Sequence, residues 1–338
     1  MSGETGGLAN GLAGGLAVVT GASGFVGSHV VDELLRSGAR VRCILRASSS
    51  RRWLAEKPVE IVTAPLTDAA QLAGAVAGAD WVVHAAGLTH ARGPAEYHEA
   101  NVKGTERMLR AALTVSGLKR FVLISSQAAA GPSADGRPVS ETTLPQPVSA
   151  YGASKLRSEE LTMLMRDRIP VVAIRPPAVY GPRDDAILKV FVAVKRHVQP
   201  VLKAGGRFSL IHAEDLARAV CLTLTHAEAP GEVYFAAEPD VTDYDEMGGF
   251  VKEAMGTWAV RVSVPGFILS AGALVGEAVG GILGKAPFLS REKLREIGSG
   301  DWICTSGKLR SRLGWEPRIS MREGIRATAD WYREAGWV

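Results

Sequence analysis

The chain has 338 residues, 46% of them hydrophobic, and a formal charge of +4, enough apolar material for one large α/β domain with a smaller lobe. Basic and acidic residues are interleaved nearly everywhere, which excludes a nucleic-acid stripe, and 38 glycines against 6% aromatics suit tight strand-to-helix turns better than a β-sandwich. Cys43, Cys221 and Cys304 lie far apart with neither metal-ligand nor disulfide-framework spacing, so they read as reduced thiols of a cytoplasmic protein without a metal site.

The opening MSGETGGLANGLAGG lacks the basic start and continuous apolar run of a signal peptide, and residues 1–14 are expected to be a flexible lead-in. From Leu16 onward short apolar runs alternate with helical stretches: LAVVT, a helix from Val26 to Ser37, VRCILR, a helix, VEIVTA, a helix, WVVHAAG, a helix, RFVLISS, a helix and VVAIRP. Six nearly continuous apolar strands, each followed by a crossover, predict a doubly wound parallel Rossmann sheet with both faces covered and a ligand crevice at the carboxyl ends of the strands. After Pro176 the regularity weakens, and short strands at RFSLIH and EVYFAA alternate with Pro- and Gly-rich loops. The domain reading is therefore 15–176 for dinucleotide binding, with returns at about 208–237, and an interleaved C-terminal substrate lobe of 177–207 and 238–338. The apolar stretch Phe267 to Leu289 is expected to wall or cover the substrate; with Glu277 and several glycines it makes a poor membrane span.

Between the first strand and first helix stands Thr20-Gly21-Ala22-Ser23-Gly24-Phe25-Val26-Gly27. Three glycines alone describe any tight turn, but at this junction they let backbone approach a pyrophosphate at a helix N-terminus. The residues taken to hold the cofactor here are Gly21, Ser23, Gly24, Phe25, Val26 and Gly27. The second strand ends in Leu45-Arg46, followed by Ala47 and Ser48, with no acid to hold ribose hydroxyls. A guanidinium with small hydroxyls suits a 2′-phosphate, so NADP(H) is expected ahead of NAD(H); a plain solvated basic loop formed by Arg46, Arg51, Arg52 and Lys57 is the competing reading.

Tyr151 and Lys155 are four residues apart in the helical segment SAYGASKLRSEEL, which puts them on one face. A nearby ammonium stabilises a phenolate, so the pair can pass a proton to or from a substrate oxygen while Lys155 also reaches a nicotinamide ribose. Ser126 closes the fifth strand at the crevice edge, where its hydroxyl can bind the reacting oxygen. Spacing alone would equally describe a surface Tyr and Lys.

With these residues in order, the sequence resembles the extended short-chain dehydrogenase/reductase superfamily, the epimerase/dehydratase-like group. The resemblance runs over almost the whole chain through TGASGFVG, HAAG at His84 to Gly87, NVKGT at Asn101 to Thr105, the ISS strand end, YGASK, RPPAVYGP at Arg175 to Pro182, and LGWEP. It implies that Ser126 orients substrate, Tyr151 is the acid/base and Lys155 its partner, with Asn101 supporting the active-site helix. It also implies cofactor contacts from Ala85, Ala86, Gly87, Ser125, Pro177, Ala178 and Val179, and a homodimer. Two departures stand out. Pro65-Leu66 replaces an acid often found beside the adenine, leaving apolar or backbone contact at Leu66, with Asp68 reading as a helix cap. Phe208 stands where sugar-nucleotide epimerases usually place an Arg, with Arg207 one position early.

Three functions compete on this basis: an alcohol dehydrogenase or ketoreductase for a fairly apolar small molecule, a nucleotide-sugar epimerase, and a non-catalytic cofactor sensor. The strand end LR with small hydroxyls resembles hydroxysteroid dehydrogenases and flavanone-type ketone reductases, which favours the first. Gln127 after Ser126, in place of an acid, counts against dehydration. His84 and His212 are expected to be structural.

Overall fold

A computed structural model describes residues 11–201, 206–263, 270, 272–274, 276 and 291–338. In chain order the first half forms β1 (Leu16–Thr20), α1 (Phe25–Arg36), β2 (Arg40–Leu45), β3 (Val59–Thr63), α2 (Ala69–Val76), β4 (Trp81–His84), α3 (Pro94–Tyr97), a π-helical turn (His98–Lys103), α4 (Gly104–Ala112), β5 (Arg120–Ile124), a short 3₁₀ turn (Gln127–Ala129), α5 (Ala150–Met163) and β6 (Val171–Arg175). The second half adds β7 (Ala178–Tyr180), α6 (Leu188–Lys195), β8 (Val198–Val201), β9 (Phe208–His212), α7 (Ala213–Thr225), β10 (Glu232–Phe235), β11 (Val241–Thr242), α8 (Tyr244–Met255), β12 (Val260–Ser263), α9 (Arg291–Ile297), α10 (Gly307–Leu313) and α11 (Met321–Glu334).

Seven strands form one sheet in the order β10-β6-β5-β4-β1-β2-β3, and every pairing in it is parallel. Alternate residues of β1 serve opposite faces: Ala17 and Val19 join a core with α1 and α7, whereas Leu16 and Val18 join another with α2 and α4. A strand buried on both faces has no polar alternation to show, which is why these runs read as continuously apolar. The order reverses between β1 and β4, so the crevice opens where the glycine turn leaves β1. Because β4 and β5 end at His84 and Ile124, Ala85 to Gly87 and Ser125-Ser126 lie in loops along that edge.

The second lobe has a three-stranded sheet, β11-β9-β7, a two-stranded sheet, β12-β8, and its own core, in which Tyr180, Phe191, Leu210 and Met247 pack against Ile325 and Tyr332 of α11. The return expected at about 208–237 is made by α7 and β10, while β9 belongs to the smaller sheet. The expected lead-in of 1–14 reaches too far, because Leu12 is fully buried in the core under α1 and the Gly14 amide donates to Gly38 O. The helix expected between β2 and β3 is replaced by turns. Serine hydroxyls capture the local amides there, Ser49 Oγ accepting from Arg46 N and Ser50 Oγ from Arg52 N, which competes with helix formation. Most of the Phe267–Leu289 stretch lies outside the described residues. All three cysteines are buried free thiols. Among the described residues no helix is long and apolar enough to cross a membrane, and no group of three His, Cys, Asp or Glu side chains could hold a metal ion.

Candidate active site

Gly21 sits at φ +70°, a left-handed conformation that glycine adopts without a Cβ clash. A Cβ there would stand 2.7 Å from the Ala85 carbonyl carbon and from the Ala86 nitrogen, so the turn is pressed against the loop after β4. One turn into α1, a Cβ on Gly27 would meet Gly21 O at 2.1 Å. The helix therefore starts directly beneath the turn. Gly24 is its N-cap, with no side-chain cap and no acid in the first turn, which leaves the amides around Phe25 and Val26 available to an anion. Ser23 is half-buried within the turn. These are the features a dinucleotide pyrophosphate requires, and they fit that group.

Thr20 Oγ1 ties the two loops together, accepting from Ala86 N at 3.2 Å and pairing with His84 Nδ1 at 2.7 Å. His84 is fully buried, and burial pushes its imidazole down to about 3. His212 caps α7, and burial brings it down to about 4. Burial thus disfavours the charged form of both rings at pH 7, and the Nε2 atom of each is buried without a hydrogen-bond partner.

At the end of β2 the basic cluster is divided. Lys57 pairs with Asp32, which Arg183 also holds at 2.8 Å, and the Arg52 guanidinium lies 4.0 Å from the Trp53 ring centroid. Arg46 and Ser48 are exposed, and the Arg46 backbone amide is the part engaged locally. Since Thr20 pairs with Ile44 in the sheet, Arg46 follows just beyond the edge where the glycine turn begins. Leu66 is half-buried and close to Gly104, where a Cβ would meet its Cδ1 at 3.2 Å. Asp68 caps α2 through the amides of Ala70 and Gln71.

The catalytic candidates are placed by α5. Ser149 caps it by accepting from Gly152 N at 3.0 Å, which sets Tyr151 in the first turn. Lys155 and Glu159 follow at four-residue intervals on the same face. Lys155 is buried and its Nζ donates to Ile124 O at 2.6 Å; desolvation lowers it to about 8, against the pull of Glu159. Burial raises the Tyr151 phenol to about 12, against hydrogen bonding with Ser126. Ser126 caps the 3₁₀ turn, its Oγ accepting from Ala128 N at 3.1 Å. Ser126, Tyr151, Pro177, Ala178 and Val179 all line one cavity of about 370 Å³.

Other predicted residues are placed as supports. Ser125 turns its hydroxyl to Glu159 rather than to the crevice. Asn101 is buried in the π-helical turn, its Oδ1 accepting from Leu88 N at 2.7 Å and its Nδ2 donating to Ser154 Oγ at 2.9 Å. Through Asn101 the two bonds link the loop after β4 to α5. A Cβ on Gly87 would stand 2.9 Å from Asn101 Oδ1 and 3.8 Å from Lys155 Nζ, so the same loop passes close to the ammonium.

Several residues escaped the sequence reading. Glu159 receives Arg175 in a buried two-pronged pair, with Nε–Oε1 at 2.9 Å and Nη2–Oε2 at 2.6 Å, and so clamps α5 to β6. Its signal was available, because it continues the Tyr151, Lys155 spacing. Ile187, Val190, Leu210, Tyr244, Met247 and Trp302 also line the cavity, beside Phe208 and with Asp184, Lys293 and Glu296 at polar positions. Phe208 apart, nothing in the linear sequence marks these, since they come from five separate segments.

Comparison with known proteins agrees with this geometry. Residues 17–237 match the NAD dependent epimerase/dehydratase family. A ceramide reductase of Caulobacter vibrioides is 32% identical over 329 residues, covering 96% of each chain. The 4-hydroxy-2-methyl-3-oxo-4-farnesyl-3,4-dihydroquinoline-1-oxide ketoreductase of Stigmatella aurantiaca is 29% identical, over 94% of this chain and 96% of that one. Among solved structures, MoeE5 in complex with UDP-glucuronic acid and NAD superposes with a TM-score of 0.74 at 25% identity, over 95% of this chain and 100% of that one. The chain thus belongs to the NAD dependent epimerase/dehydratase family, a family of Rossmann-fold enzymes.

Proposed function

We propose that this protein is a carbonyl reductase, or in reverse an alcohol dehydrogenase, that acts on a fairly apolar substrate with Tyr151 exchanging a proton with the substrate oxygen. The observation that carries the reading is the cavity itself, which Ser126 and Tyr151 line together with the apolar Ile187, Val190, Phe208, Leu210 and Met247. Apolar walls with a few convergent polar groups select an apolar ligand and fix its orientation.

A nicotinamide dinucleotide, held at its pyrophosphate by the turn from Gly21 to Gly27, would when bound supply a hydride to the carbonyl carbon. Ser126 offers its hydroxyl to the carbonyl oxygen and Tyr151 gives that oxygen its proton. A phenol raised to about 12 is fully protonated at pH 7, which suits it to donate in the reducing direction. Lys155, one helical turn away, remains mostly an ammonium at pH 7 even when lowered to about 8, and it stabilises the phenolate left behind. Glu159, Arg175 and Asn101 hold α5 in place for these steps.

NADP(H) is preferred in this reading, with NAD(H) as the lesser alternative. Support comes from the exposed Arg46 and Ser48 at the end of β2, where no acid stands. The homodimer implied by the family resemblance and the cytoplasmic location read from the cysteines belong to the same reading. Reductase activity is favoured over nucleotide-sugar epimerisation because Arg207 is committed to Asp301 at 2.6 Å, while Phe208 lines the cavity. The two relatives named above as reductases point the same way.

Incubation with NADPH or NADH and a panel of aldehydes, ketones and nucleotide sugars tests the proposal. Steady oxidation of NADPH by an apolar ketone is the expected result. Inversion of a nucleotide sugar with no net cofactor use would overturn it.

A further inference from the structure

The cavity lining carries a carboxylate that the proposed proton-transfer set does not use. Glu296 lies on α9 and is only 9% exposed, yet it lines the same cavity as Ser126 and Tyr151. Burying a carboxylate in an apolar chamber costs several kcal/mol unless it is paired. Here Lys293 Nζ meets Glu296 Oε2 at 2.8 Å, so the pair is neutral overall.

The position of Glu296 is built rather than accidental. Its carbonyl accepts from Trp302 Nε1 and from Ser299 Oγ, both at 2.7 Å, and α9 is tethered to the start of α5 by Glu292, which accepts from Ala150 N. The tether lies one residue from Tyr151. Tyr151 and Tyr244, both raised first by burial and secondarily by this carboxylate, line the same cavity as Glu296.

We propose that Glu296 is a specificity-determining residue that accepts a hydrogen bond from a hydroxyl or amide N–H beside the reacting carbonyl, so that the substrate is an uncharged amphiphile with a donor-bearing polar head and an apolar tail. A free carboxylate would favour a cationic head, but the Lys293 ammonium already neutralises it. A phosphate-linked head would meet the carboxylate with like charge and would lose hydration among apolar walls. A neutral donor matches the lone pairs that Lys293 leaves over, and the apolar wall takes the tail.

This inference rests on the reductase reading, and its test separates the two. Two ketones of equal chain length are compared with NADPH, one bearing a neighbouring hydroxyl or acylamino group and one without it. The unaltered protein is expected to prefer the donor-bearing ketone. Glu296→Ala is expected to lower the ratio of the two kcat/KM values by about 10- to 100-fold, the worth of a hydrogen bond to a charged acceptor. Glu296→Gln, which keeps one acceptor oxygen and the shape, is expected to restore part of that ratio. A purely structural role would slow both ketones alike and leave the ratio unmoved in both variants, overturning the inference while the reductase reading stands. If neither ketone oxidises NADPH or NADH with the unaltered protein, the reductase reading falls and takes this inference with it.

Discussion

At the cofactor edge, backbone is packed on backbone: Gly21 lies against Ala85 and Ala86, Gly27 beneath Gly21, and each contact is close enough that a single Cβ would collide. Across Tyr151, the substrate cavity is made by side chains instead, gathered from β7, β9, α6, α8 and α9. The first construction tolerates almost no change, because a main-chain carbonyl cannot swing aside as a side chain can. The second can be redrawn one side chain at a time while the sheet stays as it is. A fold built this way can keep one dinucleotide site while its substrates vary, which accords with a family match over residues 17–237 and with similarity over nearly the whole chain to reductases named for different compounds.

The contrast can be broken experimentally, beginning with the largest expected effect. Tyr151→Phe removes the proposed proton donor where the two regions meet, and kcat is expected to fall by about 10²- to 10⁴-fold, the usual range for general acid catalysis. Cofactor affinity, measured by quenching of protein fluorescence, should be largely kept; near-normal turnover would refute the proton-transfer role. Gly27→Ala acts wholly on the backbone side. Its Cβ meets Gly21 O at 2.1 Å, and cofactor affinity is expected to weaken by about 10- to 100-fold, the scale of a 1–3 kcal/mol overpacking strain. Unaltered binding of NADPH and NADH would show that the turn yields more than its contacts imply. The smallest effect is expected from Arg46→Ala, an exposed side chain: NADPH should bind about tenfold more weakly, as for the loss of one charge-assisted hydrogen bond, with NADH much less changed. Equal loss for both cofactors would remove the 2′-phosphate assignment.

Legibility in the sequence follows the same division. The glycine turn, Ser126 and the Tyr151, Lys155 pair could be read because a local chain path or a helical spacing fixes them. Glu159 could have been read from the same spacing. Ser125 is implied by the resemblance as a cofactor contact, and in the structure its hydroxyl bonds Glu159, the buried partner of Arg175, an arrangement that no local spacing announces. The expected helix between β2 and β3 failed because Ser49 and Ser50 bind nearby amides, a competition that apolar periodicity does not register. Leu12 was given to the lead-in for lack of pattern around it, although tertiary packing buries it completely.

By itself, the sequence determined the parallel sheet, the glycine turn between β1 and α1 and the shared helix face of Tyr151 and Lys155, because each depends on residues within one element or one junction. Only the tertiary structure decided that Arg207 is spent on Asp301, that the basic loop leaves Arg46 exposed, and that Glu296 comes to face the chamber of Tyr151, 145 positions earlier in the chain. Those outcomes depend on which distant segments share a space. Side-chain chemistry between such segments is set by the packing of the whole fold, for which no local spacing rule exists.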